Sequence, residues 1–460
     1  MQLHNRLLRP ELVAQYPFLS LVAPFGGVVR GVYSLPQTEL HVPRFHAVLS
    51  HIGNLSMAYS HIAEQAGNDL QRIDIGGCGA DESLDIAMIR SVAEAAERYA
   101  TCVYDKRDVT VASFAEMDER GIPAERIPRC SDQEYAHPKC RLRRIDPQAP
   151  LRWIPGYSLL HRRTTYVPLI MTHLYARPWA GESFWLPIST GVAAHLDFAR
   201  AAVAAICEVV ERDAISLLWL LRMQAPRVHL DEPTPAAHAE KIRRLDASLL
   251  DHRVFDVTLD TGIPTLYSLQ LRDGAPHAAQ FVNCSTSFDT WGSYSKLIRE
   301  SAMGRTILEH RLPVPEDLHD FVELEQGAIH MARIEHRAAF DFLLAPHEAD
   351  APAPEPSAPR HVGISRIGRG LPTEPASQLK YIVERFAALG MDIVLVDMTT
   401  DELRDAGLHV VRAVIPDLMP MSACYGSRYL GHARLLRMQR ELETRTGRAH
   451  PINPYPQPFA

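Results

Sequence analysis

Apolar and polar positions along this chain follow two periods, and the stretches where each period holds predict the elements. Residues 20–34 (SLVAPFGGVVRGVYS) alternate β-branched residues with glycines and predict strands joined by a turn. Residues 43–67 carry a helical texture, and IGGCGADES (75–83) reads as a glycine turn feeding a helix over 84–100, with Asp81 or Ser83 as its cap. From 107 to 150 the chain is polar and Pro-punctuated, which predicts a surface excursion. Strand texture resumes over 151–185, and 226–290 alternates short strands with turns. Two further helices are predicted, over 197–221 with Asp197 as N-cap and over 293–311. Residues 345–360 (APHEADAPAPEPSAPR) have no apolar face and predict an exposed, polyproline-like loop or linker. A helix–strand–helix–strand pattern follows, and the closing INPYPQPFA can be neither helix nor central strand.

The helix over 197–221 (DFARAAVAAICEVVERDAISLLWLL) organises the rest. At about 100° per residue, Arg200, Glu208, Glu211 and Arg212 fall on one arc, while nearly all the remaining circumference is apolar. Such a helix is buried, and a buried carboxylate needs a cationic partner. Either Arg200 and Arg212 supply it as structural ion pairs, or an external cation does. The helix over 84–100 (LDIAMIRSVAEAAERYA) repeats the arrangement with Arg90, Ser91, Glu94, Glu97 and Arg98 on one arc. Both helices carry E-x-x-E-R, a spacing that projects two carboxylates from adjacent turns. Two such pairs make a set of hard oxygen ligands without His or Cys. That favours Mg²⁺, an ion usually held together with phosphates. A bridged di-iron centre would need Glu-x-x-His, which neither helix has.

Composition narrows the class. A chain of 460 residues, 46% hydrophobic and 22% charged, is an ordinary globular protein. A net charge of −7 argues against a general nucleic-acid binder. No apolar run is long enough to cross a bilayer, and the N-terminus has no secretory pattern. The seven cysteines form no C-x-x-C, and the histidines no H-E-x-x-H, so reduced thiols in a cytoplasmic protein are expected.

Four segments in order resemble the YcaO superfamily: SVAEAAER (91–98), STGVA (189–193) followed by EVVERDA (208–214), and ESAMGR (300–305). The ending NPYPQPFA (453–460) is similar to the Pro-x-Pro-x-Pro terminus of the azoline-forming branch, and VIPDLMPMSACYGSRYLGHAR (414–434) to its Val-Pro-Gly-Leu and Arg-Tyr-Leu-Gly segment. Met303, Thr190, His195 and Cys78 depart from the pattern, standing where the family often has Gln, Asn, Gly and Lys.

The resemblance implies an α+β fold of mixed sheets and helices with a nucleotide site between the acidic helices. The expected organisation is an N-terminal segment, 1–64, and a YcaO-type catalytic domain, 65–460, containing the 345–360 loop and the Pro-rich tail 451–460. The implied function is an ATP- and Mg²⁺-dependent cyclodehydratase. It would convert Cys, Ser or Thr of a ribosomally made precursor peptide to thiazolines or oxazolines by phosphorylating the backbone amide oxygen. Carried over by position, Ser91, Glu94, Glu97, Ser189, Thr190, Glu208, Glu211, Arg212 and Glu300 would bind the cofactors. Glu94, Glu97, Glu208 and Glu211 would hold metal, while Arg305, Pro458 and the Ala460 carboxylate would belong to the catalytic set, the last as a base. Implied partners are the precursor peptide and an E1-like leader-binding protein, with an FMN-dependent azoline dehydrogenase and a second copy of the chain as further candidates. Nucleic acid and membrane are not expected. Thioamide or macroamidine formation is the rival within the superfamily, and the Pro-rich terminus argues against it. The rival from another class is a silent peptide-binding scaffold, and the four helix-borne glutamates argue against that.

Overall fold

The computed structural model describes residues 2–36, 42–55, 59, 61–62, 75–309, 313–347 and 360–459. Strands β1 (Val29–Leu35), β2 (His46–Ile52) and β3 (Gly76–Asp81) pair antiparallel in that order, and helix α1 (Leu84–Ala100) packs on β3 and β2. Strands β4 (Thr110–Ala112), β5 (Leu151–Ser158), β6 (Arg163–Pro168) and β7 (Val192–His195) lead into helix α2 (Phe198–Leu221). There follow β8 (Arg227–His229), α3 (Ala236–Asp246), β9 (Asp251–Asp256), β10 (Thr265–Leu271), β11 (Gln280–Thr286) and α4 (Thr290–Glu309). The C-terminal part holds β12 (His361–Gly363), α5 (Pro375–Ala388), β13 (Val394–Asp397), β14 (His409–Val414) and α6 (Ala433–Thr446).

The second sheet runs β4-β5-β13-β14-β7, with β6 paired to β5; the third runs β11-β10-β9-β8-β12. Only β12 on β8 is parallel among the named pairs, so the architecture is α+β with antiparallel sheets. Helix α2 packs against β7 and β14 on one side and β11 on the other, which places it between the second and third sheets. Its apolar circumference is satisfied on several sides, as a helix hydrophobic nearly all round requires. Its one deep charge besides the acidic pair, Asp213, is fully buried and bonded to Arg434 of α6 at 2.6 Å; Arg434 also reaches Asp260 at 2.7 Å. That ion triad fastens α6 to α2.

Two sequence expectations are corrected here. The helix expected over 43–67 is strand β2 at its start: Val48, Ser50 and Ile52 are buried in alternation, a period of two that HAVLSHI satisfies. The rest of that expectation, at 56–58, 60 and 63–67, lies outside the described residues. The glycine run expected as a turn is strand β3. Its glycines are needed for close approach, because a Cβ at Gly77 would stand 2.1 Å from the Ser91 carbonyl oxygen and one at Gly79 2.1 Å from that of Ala87. The helix lies directly on the strand backbone.

The expected domain boundary at 64/65 falls outside the described residues, and β2 and β3 on either side of it pair with each other. Ala345–His347 form a single 3₁₀ turn, and residues 348–359 of the expected loop lie outside the described residues. The tail is docked rather than frayed. Asn453 N–H donates to Leu220 O, Trp219 Nε1 to Tyr455 O, and Tyr425 OH to Pro454 O.

Candidate active site

Four glutamates on two helices are each seated by one backbone N–H of a neighbouring segment. On α1, Glu94 accepts from Cys78 N of β3 at 2.8 Å and Glu97 from Ala194 N of β7 at 2.9 Å. On α2, Glu208 accepts from Gly191 N at 2.8 Å and Glu211 from Thr286 N of β11 at 2.9 Å. Gly191 can present its N–H there because its φ of 84° suits only glycine without strain. Local arginines complete the shell: Arg98 donates to Glu94 at 2.7 Å, and Arg212 to Glu211 at 3.0 Å and Glu208 at 3.3 Å. The three sheets thus present the acidic pairs to one another.

Burial pushes the Glu97 carboxyl up to about 8; the Ala194 N–H opposes that, and the charges of Glu94 and Glu208 reinforce it. Glu211 is also raised by burial, against Lys296 and Arg212 and with the push of Glu208 and Glu300. The carboxylates are close enough to feel one another across the helix pair, a strain that a divalent cation relieves. Among the described residues no three His, Cys, Asp or Glu side chains group closely enough to hold a metal ion on their own. Mg²⁺ is typically bound by one or two carboxylates, with phosphate oxygens and water supplying the rest.

The Glu208–Glu211 flank of α2 forms one wall of a cavity of about 730 Å³, closed by α3, α4 and the turn after β11. Lys296 and Arg299 of α4, Arg90 of α1 and Lys241 of α3 line it from other sides. Lys296 is partly exposed, and the facing Glu300, with Glu211 and Glu208 behind it, raises its pKa and keeps it charged. A volume of this size, with fixed cations beside paired carboxylates, fits a nucleoside triphosphate and its divalent ion.

Not every site residue expected from the sequence is brought here. Ser91 is fully buried under the first sheet, its hydroxyl 2.8 Å from Ser50 Oγ and 3.2 Å from Gly77 O, so it faces away from the cavity. Arg305 is also fully buried and donates to Ala278 O. It stands nine residues after Lys296, about half a turn out of phase, which puts it on the opposite face of α4. Glu300 is on the cavity side, 3.3 Å from Arg299 and 3.9 Å from Lys296. Thr190 borders a second, smaller cavity beside Arg212, and Ser189 precedes it in the same turn. Pro458 and Phe459 are buried, and the Arg212 guanidinium lies 4.7 Å above the Phe459 ring, so the tail ends against α2. Ala460 lies outside the described residues. Sequence reasoning missed Lys296, Arg299 and Lys241; the i,i+4 spacing of Lys296 and Glu300 was the available signal for the first.

The fold and the polar cavity beside α2 fit a class of enzymes that bind a nucleotide and a divalent cation. The family described as "YcaO cyclodehydratase, ATP- and Mg2+-binding" matches residues 77–419, and this chain belongs to it. Among solved structures, a heterocyclase in complex with substrate and cofactor superposes with a TM-score of 0.75 at 20% identity, covering 97% of this chain and 57% of that one. The heterocyclase TruD gives 0.55 at 20% identity, covering 82% and 52%. YcaO from Methanopyrus kandleri, bound with AMPPCP and Mg²⁺, gives 0.59 at 16% identity, covering 91% and 92%. The chain thus spans just over half the length of the first two structures. A search of curated proteins finds no match. No helix among the described residues is long and apolar enough to cross a membrane.

Proposed function

We propose that the chain is a cytoplasmic, azoline-forming cyclodehydratase acting on Cys, Ser or Thr of a ribosomally made precursor peptide. The observation that carries the reading is the Glu208–Glu211 pair at a polar cavity lined by Lys296 and Arg299, with Glu97 of α1 near enough to feel the charge of Glu208. ATP with Mg²⁺ supplies the phosphoryl group that turns a poor leaving group, the amide oxygen, into a good one. Glu94, Glu97, Glu208 and Glu211 supply hard oxygen ligands for the ion. Lys296, Arg299 and Arg90 neutralise phosphate charge, and Arg212 holds Glu208 and Glu211 in place. The Pro-rich tail brings Phe459 under Arg212 and shields that flank from water, so Pro458 and the residues after it border the reacting peptide. There Ala460 would handle the protons lost from the side-chain nucleophile and the amide nitrogen.

The precursor peptide and a leader-binding E1-like protein are the proposed partners. The similarity to the McbBCD complex with bound pro-MccB17 supports this, with a TM-score of 0.55 at 13% identity. Glu211→Gln tests the reading, since it keeps volume and removes an anionic ligand. Peptide-dependent ATP hydrolysis is expected to fall at least about tenfold, with a matching rise in the Mg²⁺ requirement. Unchanged turnover would contradict it.

A further inference from the structure

Another cavity, of about 420 Å³, lies against β5, β6 and the start of β13, under the short helix Phe114–Met117 and the loop that follows it. None of its lining residues belongs to α1, α2 or α4, and it shares none with the nucleotide cavity. Its interior is apolar. Trp153 is fully buried there, with its ring edge-on to Phe114 at 4.9 Å, and Met117, Ile122 and Val394 complete the surface. One polar group interrupts it. Thr165 of β6 lines the space at 5% exposure, and its Oγ1 is buried with no hydrogen-bond partner among the described residues. A buried hydroxyl is costly unless another group bonds it.

The mouth has a different chemistry. Asp118, Glu119 and Glu125 are exposed along it, and none of them forms an ion pair among the described residues. Of the two arginines in the wall, Arg126 is neutralised by Asp417 at 2.8 Å, which leaves Arg163 facing the three carboxylates. These carboxylates do not converge, because no three such side chains among the described residues group closely enough to hold a metal ion. One small ammonium could therefore answer only one of them, whereas cations spaced along a chain can answer several. An apolar interior that ends in an unpaired hydroxyl fits a phenol, whose ring covers Trp153 and Phe114 while its O–H reaches Thr165.

We propose that this cavity is a docking site for a polypeptide partner, and that it takes a tyrosine side chain flanked in sequence by lysines or arginines. The phenol O–H donates to Thr165 Oγ1, and the flanking cations meet Asp118, Glu119 and Glu125. Binding there is independent of ATP, since the two cavities have separate linings. A partner so held is tethered outside the reaction site, which raises the local concentration of any peptide it carries.

Calorimetric titration of the full chain with the peptide acetyl-KRYKK-amide at low salt is the test, with acetyl-KRFKK-amide and acetyl-QQYQQ-amide as controls. The first peptide should saturate one site. The phenylalanine peptide should bind about three- to tenfold more weakly, as the loss of one buried hydrogen bond requires. That difference should vanish in Thr165→Val, which keeps the shape of the side chain and removes its hydroxyl. The uncharged peptide should bind at least about tenfold more weakly than the first, and added salt should close most of that gap. Glu119→Gln combined with Glu125→Gln should weaken the cationic peptides and leave the uncharged one as it was. These two substitutions are on the surface, so they keep the test decisive should thermal unfolding show that Thr165→Val does not fold. Saturating ATP and Mg²⁺ should leave every affinity unchanged. Equal affinity for the tyrosine and phenylalanine peptides in the wild type, a tyrosine preference that survives in a folded Thr165→Val, unweakened binding of the cationic peptides in the glutamine variant, or displacement of the peptide by ATP would each overturn the proposal.

Discussion

At Glu97 desolvation raises the carboxyl to about 8, so it keeps its proton near neutrality. Its folded value near 8 lies above the ordinary carboxylate range, so between about pH 4.5 and 8 the folded protein binds the extra proton. The metal-free protein should therefore lose stability as pH rises through that window and level off above it. Mg²⁺ affinity should move the other way, strengthening between about pH 7 and 9 as the proton leaves. Thermal unfolding against pH, with and without Mg²⁺, reads both trends. Glu97→Gln keeps an oxygen for the Ala194 N–H but carries no charge. It should flatten the pH dependence, raise the melting temperature of the metal-free protein above pH 8, and abolish most stabilisation by Mg²⁺. A pH-independent wild type would show that the carboxyl is not held as described. The sequence made Glu94, Glu97, Glu208 and Glu211 legible because periodicity alone puts each pair on one face. It could not show which donors seat them, because Cys78, Ala194, Gly191 and Thr286 come from distant segments.

At the scale of elements, α1 rests on β3 through glycine backbone. Gly79→Ala would drive a methyl group into the Ala87 carbonyl, and the helix would have to lift. The expected loss is about 1–3 kcal/mol in denaturant unfolding, with weaker Mg²⁺ binding because Glu94 and Glu97 travel with the helix. The triad at Asp213 makes a stronger demand. Arg434→Met strands a fully buried carboxylate and should cost about 3–5 kcal/mol. Inserting one alanine between Pro458 and Phe459 moves the ring by about 3.5 Å off Arg212. That variant should fold and bind ATP yet lose most cyclodehydration, and wild-type turnover would remove the tail from the account. Helices α1 and α2 were legible from their apolar period and caps, α4 and α5 from their pattern alone. Strands β2 and β3 were not, since a short apolar run and a glycine run look the same in helix, turn or strand until a partner is known. The phase of α4 was equally hidden: Arg305 shares a family motif with Glu300 but faces the opposite side.

For the whole molecule, the antiparallel sheets act as a frame that carries two acidic helices into register, and the C-terminal segment closes over one of them. The described residues place the cavity between α2, α3 and α4, whereas the proposed function leaves peptide recognition to a partner. Adding an E1-like leader-binding protein should accordingly raise peptide-dependent ATP hydrolysis strongly by increasing the local concentration of the core peptide. Full activity without it on a leader-bearing substrate would show that this chain recognises the leader unaided. The central claim is that paired glutamates hold Mg²⁺ and ATP for activation of a backbone amide. It is tested most directly by incubating chain, partner and precursor peptide with ATP and Mg²⁺ while following peptide mass and phosphate release together. The account predicts one water lost from the peptide for each ATP consumed in cyclisation, with both signals abolished by Mg²⁺ removal and cut at least about tenfold in Glu211→Gln. Water loss without ATP, or unchanged coupling in Glu211→Gln, would contradict it.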